Sequence, residues 1–343
     1  MRMTGKLLLL SAAVLLSCLL SAAGLWDRAG DARQQRLDAG RMRNVILLQP
    51  PAEESPEALP VSAPAKEDPA PAPEPEPSPE VLVSVLRTDP GQEIRETTIP
   101  GERLLKNETG FDVDPLAVLE EGTGLRLPAE GPQILIIHTH GSEAYTPAGL
   151  DRYEASDTNR TQDPRYSVIR VGDELAEALE AQGLRVLHDR EIYDYPSYTG
   201  SYSRSGEAVE KHLQRYPELA VVIDLHRDAL GSDGVVYKTM AEEEGTVASQ
   251  IMLLVGTDES GLEHPGWREN LALALYLQNA AASSHPTLMR PVSLVPQRYN
   301  QQLCSGSLIL EVGSSGNTLQ EALAAVRLFA AAVGPALLAL EEP

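Results

Sequence analysis

Cysteine and positive charge are both scarce in this sequence. The two cysteines are Cys18 and Cys304, and Cys18 lies in an apolar N-terminal segment, so the rest of the chain cannot form an internal disulfide. An exported domain without disulfides relies on a sizeable core or on a metal for its stability. With 28 Lys and Arg against 50 Asp and Glu, the formal net charge is −22. This balance argues against nucleic acid as a partner, because phosphate backbones are held by Lys and Arg.

Two signatures of enzymes that use a side-chain nucleophile are also absent. The chain has no Gly-x-Ser-x-Gly motif, which argues against a serine-hydrolase role for Ser142 or Ser314. Cys304 lacks the flanking signature of a thiol enzyme, so we interpret it as a small core residue.

The N-terminus has the features of a membrane anchor. Arg2 and Lys6 precede an apolar run over residues 7–26. At about 1.5 Å per residue, a helix of this length spans roughly 30 Å, the thickness of a bilayer core. Because basic residues stay on the cytoplasmic side, we predict a cytoplasmic tail at 1–6, a single-pass anchor at 7–26 and an extracytoplasmic remainder. The alternatives are cleavage near residues 22–23 and lipidation of Cys18.

Residues 27–80 have the composition of a linker. Eleven of the 26 prolines fall within residues 50–79, separated mainly by Glu and Ala. Such a tract cannot form a packed core and favours an extended polyproline II spacer of about 3.1 Å per residue. We interpret residues 81–130 as a small accessory segment, with short strands near 81–86 and 93–99.

From residue 131 to 343, strand and helix patterns alternate. Strands are predicted at 134–137, 184–187, 219–225 and 308–310, with a further strand within 247–255, and helices at 203–216 and 267–283. Asp163 is the predicted N-cap of a further helix that ends before Gly183, and Asn317 is the predicted N-cap of the last helix. Strands separated by helices predict an α/β fold with a mostly parallel central sheet flanked by helices.

Polar clusters interrupt the apolar pattern where three predicted strands end, at residues 138–143, 224–228 and 311–313. Ligand sites in open α/β sheets lie beyond the carboxyl ends of the strands, so these clusters are expected to converge. Catalytic zinc sites use three His or carboxylate ligands and leave one position to water. We therefore predict His140, Glu143 and His226 as zinc ligands, with Glu311 as general base and acid.

Three neighbouring residues are candidates for supporting or substrate-binding roles. The side chain of His138 is expected to point the opposite way from the strand end and to support the ligands from behind or to bind substrate. Asp224 either orients a ligand or satisfies backbone donors. Arg227 either clamps a substrate carboxylate or pairs with Asp228.

Five segments resemble the stage II sporulation protein P family, over about residues 131–335. They are residues 138–147 (HTHGSEAYTP), 194–205 (DYPSYTGSYSRS), 222–229 (VIDLHRDA), 266–271 (GWRENL) and 310–313 (LEVG). The resemblance implies a membrane-anchored N-acetylmuramoyl-L-alanine amidase that acts in engulfment during sporulation, from the mother-cell membrane facing the septal wall. It leaves endopeptidase activity open. It also implies two kinds of partner, which are stage II sporulation protein D, a protein that cuts the glycan strands, and other membrane proteins of the engulfment complex.

The order of motifs is also similar to that of type 3 zinc amidases. This similarity implies that His140 and His226 are zinc ligands and that Glu311 is the catalytic carboxylate. In that family the remaining ligand is a Glu just before the first long helix, where this chain has Asp163 followed by proline. Glu143 replaces it in our prediction, by similarity to the His-x-x-Glu motif of zinc carboxypeptidases, and Asp163 and His138 are the alternatives.

These observations lead to one main functional hypothesis and two others. The main hypothesis is a zinc amidase that cleaves between N-acetylmuramic acid and the L-alanine of the stem peptide. A stem-peptide endopeptidase or carboxypeptidase would use the same kind of site. A non-enzymatic wall-binding scaffold would have no need to gather His140, His226 and Glu311.

Overall fold

A computed structural model of the chain describes residues 93–101, 104–149, 151, 155–157, 159–232, 234–243 and 245–342. The predicted anchor at 7–26, the linker at 27–80 and the strand at 81–86 lie outside the described residues. Within the described part of the chain, the strands form a seven-stranded sheet and a four-stranded sheet.

The larger sheet organises the domain. Its strands are β2 (Leu105–Asn107), β3 (Ile134–Ile137), β4 (Val186–His188), β5 (Val221–Asp228), β9 (Ile251–Gly256), β10 (Val292–Val295) and β11 (Ser307–Ser314). They lie in the order β2-β10-β9-β11-β5-β3-β4, and all neighbours are parallel except β9 and β11. The predicted α/β fold is therefore confirmed. β2 joins this sheet although it comes from the segment predicted to be accessory.

The smaller sheet contains β1 (Glu93–Thr97), β6 (Gly231–Ser232), β7 (Val235–Glu243) and β8 (Thr246–Ser249). The strand predicted within residues 247–255 is confirmed as β9, and β8, which precedes it, belongs to the smaller sheet. Gln250 lies between them, fully buried, and its side-chain amide donates to the carbonyls of Ile99 and Thr287. The chain therefore changes sheets at a polar residue that is anchored to neighbouring loops.

Helices cover the two faces of the larger sheet unequally. They are α1 (Pro115–Glu121), α2 (Val168–Glu180), α3 (Ser201–Arg215), α4 (Trp267–Ser284) and α5 (Leu319–Leu338). Because side chains alternate across a strand, Ile223 and Leu225 of β5 face the large core beneath α2, α4 and α5. Val222 faces a small apolar cluster beneath α3 that includes Val209. Beyond Val222, this second face of β5 is polar, and it is there that the candidate site lies.

Two predicted helix starts are wrong. α2 begins at Val168 and is capped by Ser167, whereas Asp163 accepts hydrogen bonds from Arg165 in the turn before it. α5 is capped by Thr318, which exchanges hydrogen bonds with Glu321 in a capping box. The predicted cap of that helix, Asn317, instead directs its side chain to the backbone of β7.

α5 is a buried helix of the domain. By length and a mean hydropathy of 1.6, it is long and apolar enough to cross a membrane. Half of its most apolar stretch of 18 residues is buried inside the fold, and the helix packs on α2 and α4. Core helices of folded domains meet the same criteria, so α5 does not bear on the anchor predicted at residues 7–26.

Candidate metal centre

The turn after β3 brings His140 next to β5. Thr139 anchors this turn, because its backbone N–H and its hydroxyl donate to the two carboxylate oxygens of Asp224 at 2.8 and 2.6 Å. Asp224 and His226 are two residues apart on β5, so they share one face of the sheet. As a result the rings of His140 and His226 meet edge to face, with their centroids 5.0 Å apart.

His140, Glu143 and His226 converge on one point. A donor atom from each lies within 4.8 Å of the other two, and the residues are 7%, 6% and 4% exposed, respectively. Glu143 Oε1 lies 3.7 Å from His140 Nδ1, and Glu143 Oε2 lies 3.4 Å from His226 Nδ1. The structure thus brings together the three residues that the sequence predicted as ligands.

The donor atoms of this group fit a divalent metal ion. Among the described residues, His140 Nε2 is buried without a hydrogen-bond partner. His226 Nε2 lies 2.9 Å from Asp224 Oδ1. Buried polar side chains are normally hydrogen-bonded, so the His140 nitrogen without a partner points to a missing ligand. Two imidazoles and one carboxylate are the donor set of catalytic zinc sites.

Glu143 is held in its ionised form. Burial raises the pKa of its carboxyl, but Arg227, His226 and Arg160 together outweigh burial and hold this pKa well below its usual range. The Arg227 backbone N–H donates to Oε2 at 3.2 Å, and Arg160 Nη2 donates to Oε1 at 3.4 Å. An ionised carboxylate is the form that binds a metal ion.

The two histidines differ in their electrostatic surroundings. Burial lowers the pKa of His140 to about 3, so its imidazole is neutral at pH 7, as metal binding requires. Burial also lowers the pKa of His226, but Asp224 and Glu143 outweigh it and raise this pKa well above the usual value. A metal ion bound at this centre would compete with the proton on His226, and its affinity would then depend on pH.

Glu311 lies beside His226 in the sheet. The two residues are register partners on β11 and β5, so their side chains lie on the same face. Burial and the Asp228 carboxylate raise the pKa of Glu311 to about 8, and its Oε2 is buried without a hydrogen-bond partner. Both residues lie within their strands, because β5 continues to Asp228 and β11 continues to Ser314.

Asp224 and Arg227 have defined contacts in this centre. Asp224 accepts a hydrogen bond from the Thr139 backbone, which is one of the two roles predicted for it, and it also lies 2.9 Å from His226 Nε2. Arg227 donates to the carbonyls of Ala144 and Asn159 at 2.9 and 3.1 Å. The alternative prediction that Arg227 pairs with Asp228 is wrong, because Asp228 forms its ion pair with Arg290.

The two alternative ligands lie apart from this group. The ring of His138 bonds the Leu225 carbonyl through Nδ1 at 2.9 Å, and its Nε2 lies 2.8 Å from Nε2 of His188. It faces α2, where a Cβ on Gly172 would come within 2.6 Å of the ring. Asp163 forms an ion pair with Arg165 at 2.6 Å, in the turn before α2.

Several residues around the centre had no predicted role. The Ser142 N–H and hydroxyl donate to Asp194, which also pairs with Arg160. The ring of Tyr198 stacks on that of His140 at 4.5 Å, and Tyr202 contacts the same ring edge to face at 5.5 Å. Three of these residues belong to the segment 194–205, which carried the family resemblance, and this was the signal available in the sequence.

Comparison with solved structures gives matches to N-acetylmuramoyl-L-alanine amidases. An N-acetylmuramoyl-L-alanine amidase of Nostoc punctiforme is 14% identical with a TM-score of 0.36, over 62% of this chain and 98% of that one. An N-acetylmuramoyl-L-alanine amidase from Clostridium difficile 630 is 15% identical with a TM-score of 0.35, over 61% of this chain and 97% of that one.

Sequence comparison identifies the family. The stage II sporulation protein P of Bacillus subtilis (strain 168) is 28% identical over an alignment of 199 residues, and the match covers 55% of this chain and 47% of that protein. The match thus spans about half the length of that relative. The family model for stage II sporulation protein P matches residues 64–334, well over half of the chain. This chain therefore belongs to the stage II sporulation protein P family.

Proposed function

We propose that this protein is a zinc-dependent hydrolase that cleaves peptidoglycan at the amide between N-acetylmuramic acid and the L-alanine of the stem peptide. The observation that carries the proposal is the convergence of His140, Glu143 and His226 within 4.8 Å, on the sheet face that also carries Glu311. Two imidazoles and a carboxylate at the carboxyl end of parallel strands are typical of hydrolytic zinc sites. Membership of a sporulation family supports a role in remodelling the wall during sporulation.

In this proposal His140, Glu143 and His226 hold the zinc ion. When bound, zinc polarises an amide carbonyl and lowers the pKa of a water molecule toward about 7. Asp224, fixed by its two hydrogen bonds from Thr139, orients the ring of His226. Tyr198 and Tyr202 cover the ring of His140 and limit the access of solvent to it.

Glu311 is the proposed proton carrier. It takes a proton from the attacking water and delivers it to the leaving nitrogen of the cleaved amide. The pKa of about 8 suits this exchange, because an efficient acid–base group has a pKa near the working pH. Glu311 is not needed as a ligand, since the three donors of the zinc site come from other residues.

The decisive experiment is a Glu311→Gln substitution assayed on purified peptidoglycan. The variant keeps the shape of the side chain but cannot accept a proton. We expect zinc content close to that of the wild type and turnover lower by roughly 10²–10⁴-fold, the usual contribution of a general acid–base group. Glu180→Gln, which removes the same charge at an exposed position of α2, is the matched control. Full activity in Glu311→Gln would contradict the mechanism.

Mass spectrometry of the digested muropeptides separates the competing functions. An amidase leaves glycan without peptide, whereas an endopeptidase or carboxypeptidase leaves shortened stems on the sugar. A non-enzymatic scaffold gives neither product and holds substoichiometric zinc after gentle purification. Loss of products on treatment with a chelator, and their return with zinc, would support the metal requirement.

We further propose that residues 7–26 anchor the protein in the mother-cell membrane and that residues 27–80 hold the domain away from the bilayer. This arrangement would let the centre reach wall material beyond the membrane, alongside stage II sporulation protein D. Co-purification of the two full-length proteins from sporulating cells tests the partnership. Release of the protein by a high-salt wash alone would contradict a transmembrane anchor.

A further inference from the structure

Arg290 is a buried arginine with half of its guanidinium unused. It is 7% exposed, and its Nη1 donates to Asp228 Oδ2 at 2.9 Å. Its Nε is buried without a hydrogen-bond partner, and its Nη2 makes no hydrogen bond within the described residues. Arg227, by contrast, uses both Nε and Nη2 on backbone carbonyls. The unused Nε and Nη2 of Arg290 form the edge with which arginine binds a carboxylate through two parallel hydrogen bonds.

The guanidinium of Arg290 lies near the candidate metal centre. Asp228, which holds the guanidinium, is two residues after His226 on the same face of β5. The backbone of Arg290 is tied to β9 by a hydrogen bond to Ile251, so its side chain reaches across the end of the sheet to β5. Asp228 raises the pKa of Glu311 and Arg290 lowers it, which agrees with their closeness to that carboxyl.

A buried, unpaired N–H such as that of Nε is costly, so its persistence calls for a ligand. The chemistry of that ligand follows from the donor. Two parallel N–H groups carrying positive charge match a carboxylate in geometry and in sign. In a chain with a net charge of −22, a local cation is also what allows an anionic substrate group to approach.

We propose that Arg290 binds the free α-carboxylate of the second residue of the peptidoglycan stem peptide. This inference rests on the proposed amidase function. That second residue is linked onward through its side-chain carboxyl, so its α-carboxyl stays free unless the cell amidates it. It lies two residue lengths from the cleaved amide, roughly 7 Å in an extended peptide. Asp228, which holds Arg290, lies a similar distance of roughly 7 Å beyond His226 along β5.

The test uses two muramyl peptides that differ only at this group, one with a free α-carboxylate and the other with a carboxamide. For the full-length wild type, kcat/KM should favour the carboxylate roughly 10- to 100-fold, as expected for one charged, hydrogen-bonded pair. Arg290→Gln should reduce this ratio to about one, and Arg290→Lys should keep part of it because only the charge remains. Arg327→Gln removes one arginine from α5 at an exposed pair with Glu174 and should keep the wild-type ratio.

Direct binding gives a second readout that does not depend on catalysis. The probes are the L-alanyl-γ-D-glutamyl dipeptide with a free α-carboxylate and its carboxamide, titrated calorimetrically into the wild type, Arg290→Lys and Arg290→Gln. Preference for the carboxylate in the wild type, weakened in the variants, supports the proposal. Equal affinities in the wild type, or an unchanged preference in Arg290→Gln, would overturn it.

The two readouts also separate this inference from the proposed function. A wild type that binds the carboxylate dipeptide through Arg290 but cleaves neither muramyl peptide would refute the amidase and retain the Arg290 site. A wild type that cleaves both muramyl peptides equally well would retain the amidase and refute the site. If Arg290→Gln fails to fold, the wild-type comparison and Arg290→Lys decide the matter.

Discussion

Replacing Glu311 by Gln should change how the stability of the metal-free protein depends on pH. Burial and the Asp228 carboxylate raise the pKa of Glu311 from 4.5 to about 8. A carboxyl with a raised pKa stabilises the fold only while it is protonated, so its contribution is complete below pH 4.5 and is lost as the pH rises through about 8. At about 1.4 kcal/mol for each tenfold change in proton affinity, the loss amounts to roughly 5 kcal/mol. This is a large part of the roughly 5–15 kcal/mol by which a domain is usually stable.

Urea unfolding of chelator-treated protein between pH 5 and 9 measures this effect. Relative to wild type, Glu311→Gln should gain about 3–5 kcal/mol in the free energy of unfolding across this range, because the glutamine does not ionise. Glu180→Gln should follow the wild-type curve, since it removes a charge from an exposed site. Restoring zinc should shrink the difference, because a nearby cation favours the ionised carboxylate. Parallel curves for wild type and Glu311→Gln in the metal-free state would show that Glu311 is not held protonated in the fold.

Three further substitutions test the local structure and the metal centre. Gly172→Ala places a Cβ 2.6 Å from the buried ring of His138 and should lower the free energy of unfolding by about 1–3 kcal/mol in urea titrations, whereas unchanged stability would contradict this packing. Thr318→Ala removes the cap of α5 and should cost about 1 kcal/mol in the same assay, and a neutral result would mean that the capping box is not formed. Glu143→Gln should weaken zinc binding by at least the roughly 10–100-fold that loss of a supporting residue causes, measured by competition with a chelator. An unchanged zinc affinity would exclude Glu143 as a ligand.

The sequence predicted the elements of the fold better than their ends. The predicted first and last residues of β3 are those of the structure, because a fully buried strand is apolar along its whole length. The start of α2 was missed because Asp163 and Ser167 are both capping residues, and local sequence does not choose between them. In the structure the choice is made by a distant segment, since Ala144 forms a bridge with Ser167 and fixes it in the extended conformation that an N-cap needs.

The site residues were found for a reason that the structure refines. The end of an apolar run was interpreted as the end of a strand, yet β5 and β11 continue past His226 and Glu311. What changes at that point is one face of the sheet, where Val222 is followed at every second position by Asp224, His226 and Asp228. The alternation was visible in the sequence. The approach of Tyr198 and Arg160 was not, because it depends on loops whose paths no local pattern determines.

Glu143 was the proposed ligand that was hardest to predict, and the fold explains why. In the type 3 zinc amidases that this chain resembles, the corresponding Glu stands just before the first long helix in sequence. Here residues 144–167 intervene, but the Val168 N–H, at the first residue of α2, donates to the Glu143 carbonyl at 2.8 Å. Glu143 therefore stands at the start of that helix in space, although it is distant from it along the chain. The long excursion between Glu143 and α2 supplies Arg160, which steadies the same carboxylate.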